Sequence, residues 1–167
     1  TKTVQFEPAQ YQIVYDYKYA KDAKYPDAKR TAVTILRIGT QHNMFIDYGQ
    51  LTFDSISASI ARGESQATSA GPKLIGALKS IGFQELILLN RETKKEFIQR
   101  KAGGLQRYQY EEEAPQLEWE LLQGDSTIAG YQCQKAKTRL FGRDYIAWYA
   151  PDVELPYGPY KFYGLPG

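Results

Sequence analysis

From Tyr11 to Tyr19 the chain alternates, with Tyr11, Ile13, Tyr15, Tyr17 and Tyr19 separated by mostly polar residues. A period of two places one set of side chains on one face of an extended ribbon, so this segment predicts a half-buried strand. The stretch 21–29 is polar, contains Pro26 and reads as a connection. Thr31 to Ile38 is β-branched and apolar on both faces, the pattern of a central strand. Gly39-Thr40-Gln41 predicts a turn into Met44 to Tyr48, and Gly49 a second turn into Leu51-Thr52-Phe53. That spacing is a meander of antiparallel strands.

The pattern changes between residues 54 and 82. Ile56 and Ile60 lie four apart among small residues, which predicts a short helix capped by Asp54 or Ser55. Residues 63–71 are rich in Ser, Ala, Thr and Gly and read as a mobile loop. Pro72, Leu74, Ile75, Leu78 and Ile81 follow helical spacing, with Pro72 in the first turn and Gly82 as the stop. Strand patterns return at residues 85–89, 94–101, 106–110 and 117–121, with Gly103-Gly104 and Gly124-Asp125 as turns. Tyr131 to Leu140 and Asp144 to Tyr149 predict a hairpin closed around Gly142-Arg143. The expected class is mainly β: a curved antiparallel sheet or half-open barrel, bowl-like, with one or two short helices inserted at about 54–82. With no linker and no repeat, residues 1–167 read as a single domain, long enough to bury a core without disulfides or metal.

Composition narrows the function classes. The formal net charge is +2, which gives no basic surface of the kind that binds nucleic acid. Fourteen tyrosines, seven phenylalanines and two tryptophans fit half-solvated strands, because a tyrosine packs its ring while keeping its hydroxyl wet. One cysteine, Cys133, excludes an intramolecular disulfide and any multi-thiolate metal site. No apolar run is long enough for a spanning helix. The chain opens at Thr1 without an initiator Met, a basic n-region or an apolar h-region, which reads as a leader already removed or an artificial start.

Four of the eight prolines fall in residues 151–167, where Gly158-Pro159-Tyr160-Lys161-Phe162 runs into Gly164-Leu165-Pro166-Gly167. Proline lacks an N–H donor and glycine admits conformations closed to other residues, so this tail predicts an irregular covering strap. Upstream lie Trp119, then Gly130-Tyr131-x-Cys133-Gln134-Lys135-Ala136, Phe141-Gly142-Arg143 and Ala147-Trp148-Tyr149. In order and spacing these segments resemble the GLPGLI family, named for its closing hexapeptide and found mainly in Bacteroidetes. The resemblance is carried by residues 119–167; before residue 83 the chain matches only in strand pattern. It implies a secreted, periplasmic or outer-membrane-associated protein with a cleaved leader and no assigned activity. The family is in turn similar to the bowl-like N-terminal domain of a bacterial peptide:N-glycosidase, a fold-level analogy that transfers no active site. This sequence departs from the family in stopping at Gly167, before the usual Leu-Ile. The sheet is therefore expected to be shortened, with an unpaired edge open to strand addition by another chain.

The candidate binding residues are those of the motif: Trp119, Tyr131, Cys133, Arg143, Trp148, Gly158, Pro159, Gly164, Leu165, Pro166 and Gly167. Trp119 and Trp148 read as core residues in strands, with a sugar-stacking platform as the alternative. Cys133, in mid-strand, reads as a small buried hydrophobe. Arg143 is expected to hold the tail through its planar fork, or else to recognise a ligand. His42, the one histidine, sits in a turn context with no motif nominating a nucleophile. Glu118 and Glu120 alternate with apolar residues and read as a solvated strand face, not a glycosidase pair. No catalytic, metal or cofactor site is expected. The sequence thus reads as a non-catalytic extracytoplasmic binding or accessory domain that acts through contact with a partner, expected to be another envelope protein, or with a ligand. Alternatives are a periplasmic carrier of a hydrophobic ligand and an envelope hydrolase.

Overall fold

The computed structural model describes residues 7–20, 22–101 and 106–167. Among them are nine strands and two helices, in antiparallel sheets that do not close into a barrel. In chain order these are β1 (Tyr11–Ala20), β2 (Lys29–Ile38), β3 (His42–Asp47), α1 (Tyr48–Ala61), α2 (Ala67–Ser80), β4 (Glu85–Asn90), β5 (Lys95–Lys101), β6 (Arg107–Glu113), β7 (Glu120–Ile128), β8 (Tyr131–Leu140) and β9 (Arg143–Tyr149). The chain divides into two compact units, one up to Glu112 and one from Glu113 onward.

The first unit holds a six-stranded sheet in the order β1-β2-β3-β4-β5-β6. Its registers line up side chains across the strands. Ile13 pairs with Leu36, Leu36 with Phe45, Phe45 with Ile87 and Ile87 with Ile98, so one apolar row crosses five strands on a single face. Leu36, Phe45, Ile87 and Ile98 are all buried, and the odd-numbered tyrosines of β1 stand on the same face. On the opposite face Ile35 and Ile46 are also buried and paired. β2 is therefore the two-faced central strand that its β-branched composition predicts.

The helical region begins earlier than the sequence suggests. α1 follows β3 directly and is capped by Asp47, not by Asp54 or Ser55. Residues 48–53, expected to turn and form a strand, are helical because the Asp47 carboxylate accepts the Gln50 N–H at 3.1 Å and fixes the first turn. The other oxygen of Asp47 accepts the N–H groups of Gly82 and Phe83, each at 2.9 Å. One fully buried carboxylate thus joins the start of α1 to the segment leading into β4. Phe83 is thereby set edge-on against Tyr17 and Phe45. α2 starts at Ala67 and takes in the Ser/Ala/Gly stretch expected as a loop, with Pro72 inside the helix. Its last turn abuts the first turn of α1, and a side chain at Gly49 would stand 2.8 Å from the Ala77 carbonyl oxygen.

The second unit holds the sheet β7-β8-β9. The β7–β8 hairpin turns at Ala129-Gly130 and the β8–β9 hairpin at Phe141-Gly142, each with two consecutive positive φ angles. The second turn therefore lies one residue before the expected Gly142-Arg143, and Arg143 is a strand residue paired with Leu140. Gly124-Asp125 does not turn the chain. It lies inside β7, where the register with β8 shifts between Leu122 and Asp125. The Gly103-Gly104 turn lies outside the described residues.

Replacing Asp47 with Ala should lower unfolding stability by about 3 kcal/mol, because three N–H groups lose a buried acceptor. Asp47→Asn, which keeps one acceptor oxygen, should cost less. Urea melts of the three proteins check the order.

Candidate functional site

The feature best placed for recognition is the outer edge of β1. This strand pairs with β2 over ten consecutive positions without a register shift, and among the described residues it has no neighbour on its other side. An edge strand exposes a row of unpaired N–H and C=O groups, which proteins usually protect with a bulge, a proline, a charged side chain or shortening. β7, an edge of the other sheet, carries such an irregularity. β1 has neither proline nor bulge over its ten residues. Tyr17 and Tyr19 stack at 5.1 Å along it, and Val14 is exposed on its other face. The Tyr15 hydroxyl is buried without a hydrogen-bond partner, and burial pushes its pKa up to about 12.

In the second unit the tail is a strap held by aromatic contacts. Trp119 precedes β7 and is half-buried, and its Nε1–H donates to the Tyr163 carbonyl at 2.8 Å. Phe162 lies 4.8 Å from Tyr145 and 6.4 Å from Trp119, centroid to centroid. The strap closes on itself where the Gly164 N–H donates to the Pro156 carbonyl. Gly164 has φ +98°, and a side chain there would stand 3.6 Å from the Trp119 nitrogen. Gly158 is buried next to Pro159, while Leu165 and Pro166 are half-buried. A side chain on Gly167 would come 2.6 Å from the Ala150 nitrogen.

The remaining motif residues separate. Cys133 is buried in β8 as a free thiol, its Sγ 3.6 Å from the Tyr131 carbonyl oxygen, and Tyr131 is exposed. Trp148, expected in the core, is 41% exposed on β9, and the Lys135 ammonium lies 5.7 Å over its ring. Arg143 is exposed and makes no hydrogen bond to the tail among the described residues. The arginine that fixes the hairpin is Arg139, which donates to the Gly142 carbonyl and to Asp144. Glu118 and Glu120 are exposed beside Trp119 in a groove of about 680 Å³, which also holds Lys137 and the paired Arg139 and Asp144.

His42 opens β3 and is tied on both sides of its ring. Nδ1 lies 3.1 Å from a Glu7 oxygen, and Nε2 lies 3.3 Å from the Asn90 side-chain nitrogen. Asn90 Oδ1 accepts the N–H groups of Glu92 and Thr93, so its NH₂ must face the ring. Nε2 is then the acceptor and Nδ1 carries the proton toward Glu7. Burial would raise the Glu7 pKa, but the N–H groups of Gln41, His42 and Thr40, with the imidazole, outweigh it and bring it down to about 2. Sequence reasoning found neither this knot nor the Asp47 cap at its true place. Asp47 immediately before a helical stretch was the available signal for the cap; nothing in the sequence couples Glu7 to residues 40–42.

Among the described residues no three His, Cys, Asp or Glu side chains group so as to hold a metal ion. No helix there is long and apolar enough to cross a membrane. No family model and no curated protein matches the chain. Two solved structures of PNGF-II are similar to it. One, in space group C2, has 12% identity and a TM-score of 0.47; the other, in space group P21, has 13% and 0.46. Each match covers 84% of this chain and 21% of the other, so this chain spans about a fifth of those proteins' length.

Trp119→Phe should remove the bond to Tyr163 and cost about 1 kcal/mol, with faster limited proteolysis within 156–164. Arg143→Ala should leave the cleavage rate unchanged. Acid titration supplies a second check. The Glu7 pKa is lowered from 4.5 to about 2, so its stabilisation is full above 4.5 and is lost as pH falls toward 2. The amides of Thr40, Gln41 and His42 should lose exchange protection over that interval, and Glu7→Gln should abolish the dependence.

Proposed function

We propose that this chain is a non-catalytic, extracytoplasmic binding domain of the GLPGLI family that recruits another envelope protein by strand addition to β1. The observation that carries this reading is the unbroken ten-residue edge, which has neither proline nor bulge and whose charged residues are Asp16 and Lys18, while β7 carries a bulge. Main-chain groups along such an edge supply affinity, and alternate side chains supply selectivity. On β1 the tyrosines stand on one face, with Val14, Asp16 and Lys18 on the other. The family assignment rests on the closing Gly164-Leu165-Pro166-Gly167 and the residues aligned before it, from Trp119 to Trp148. Secretion follows from that assignment.

Two further observations favour this reading, one over catalysis and one over a lipid carrier. The imidazole of His42 has both nitrogens engaged by Glu7 and Asn90, which suits a hairpin fastener more than a proton shuttle. The groove beside Trp119 is open and lined by charges of both signs, unlike the enclosed apolar pocket that a lipid carrier would need.

A photo-crosslinking residue placed at Val14 should capture one defined protein from an envelope fraction, and the same residue at exposed Glu92 should not. Lys in place of Val14 should abolish co-purification of that protein. Recovery of uncrosslinked monomer alone, or equal capture from both positions, would refute the reading.

A further inference from the structure

Beyond the strand edge, the first unit contains a cleft of about 570 Å³ between the far ends of β1 and β2 and the junction of the two helices. Its volume suits a ligand of one or two sugar units. Three cations, Lys18, Arg30 and Lys79, line it against one carboxylate, Asp16. Lys18, Arg30 and Lys79 are exposed and make no hydrogen bond or ion pair among the described residues.

The source of the positive field bears on the ligand. Helix termini contribute little to it, because the last turn of α2 meets the first turn of α1 at Gly49 and the two partial charges oppose each other. The N–H of Gly82, a lining residue, is already donated to Asp47 and is not available to a phosphate, which is held best by several free amides at a helix N-terminus or glycine-rich loop. What remains is a ring of long, mobile cations, suited to a charge spread along a ligand. Tyr48, 48% exposed, offers an aromatic ring, and the Thr31 hydroxyl offers a hydrogen bond, whereas the Ser80 hydroxyl already donates to the Ala77 carbonyl and can only accept. An aromatic ring with nearby hydroxyls and a diffuse positive field is complementary to a pyranose that carries a carboxylate.

We infer that this cleft binds an acidic saccharide, its carboxylates held by Arg30, Lys18 and Lys79 and one sugar face resting on Tyr48. The site uses side chains, whereas strand addition uses the outer backbone edge of β1, so either proposal can fail alone.

The test is a titration of the full chain, followed by amide NMR shifts, with trigalacturonate, neutral maltotriose, inorganic phosphate and AMP. Trigalacturonate should shift the resonances of Lys18, Arg30 and Tyr48 with a dissociation constant on the order of 1 mM. Added salt should weaken it. The double change Arg30→Ala with Lys79→Ala should weaken binding about tenfold. Asp16→Asn should tighten it about threefold, a gain that a damaged fold does not produce. Equal shifts from maltotriose would overturn the inference, as would saturation by phosphate or AMP at lower concentration. So would the absence of shifts at these residues with trigalacturonate.

Discussion

The first unit depends on one buried carboxylate. Asp47 ends β3, caps α1 and receives the two amides that lead the chain back toward β4, all through one side chain with no exposed surface. Burying an ionised group is costly unless its lone pairs are filled, and here three backbone donors fill them. The two helices inserted between adjacent strands are thus tied at their beginning and their end to the two oxygens of one carboxylate. Close packing at Gly49, with the Ala77 carbonyl over it, follows from that shared anchor.

The anchor explains how a long insertion coexists with an undisturbed meander. β3 and β4 pair from Ile46 to His42 as though joined by a short turn, although both helices intervene. α1 lies against β2 and β3 and leaves β1 as the outermost strand of the sheet. The second unit reaches order differently. Its small sheet is covered by an irregular strap, fixed by the Trp119 indole and the Phe162 ring where backbone pairing is not available. In both units the groups most suggestive of chemistry, Asp47, His42 and Trp119, already hold the fold together.

Strands were legible where the period of two was clean. The tyrosines of β1 and the two-faced apolar run of β2 both lie where their patterns put them. The first helix was misread because Leu51 and Phe53 alternate as strand residues do, and local alternation cannot register a cap whose other partners lie at Gly82 and Phe83. The small residues of 63–71 suggest a loop, yet Ala67 to Gly71 opens α2, so Pro72 is not in the first turn, as its spacing suggests, but is the sixth residue, inside the helix. Trp148 illustrates the limit on side chains: a tryptophan in a strand predicts burial, but its face carries Lys135 and stays partly exposed. Arg143 and Arg139 were indistinguishable in type, and the hairpin's true turn, one residue earlier, decides which one clamps it. The knot of Glu7 with residues 40–42 joins a polar segment to a turn and leaves no periodic trace.

Recognition at β1 requires an open pairing edge, and among the described residues that strand has no outer neighbour. Hydrogen exchange of the isolated chain in dilute solution tests this directly. Amides of β1 that face β2 should be protected and those between them should exchange quickly, giving alternation along Tyr11–Ala20. Uniform protection along the strand would mean that its outer edge is already paired, and would contradict the account.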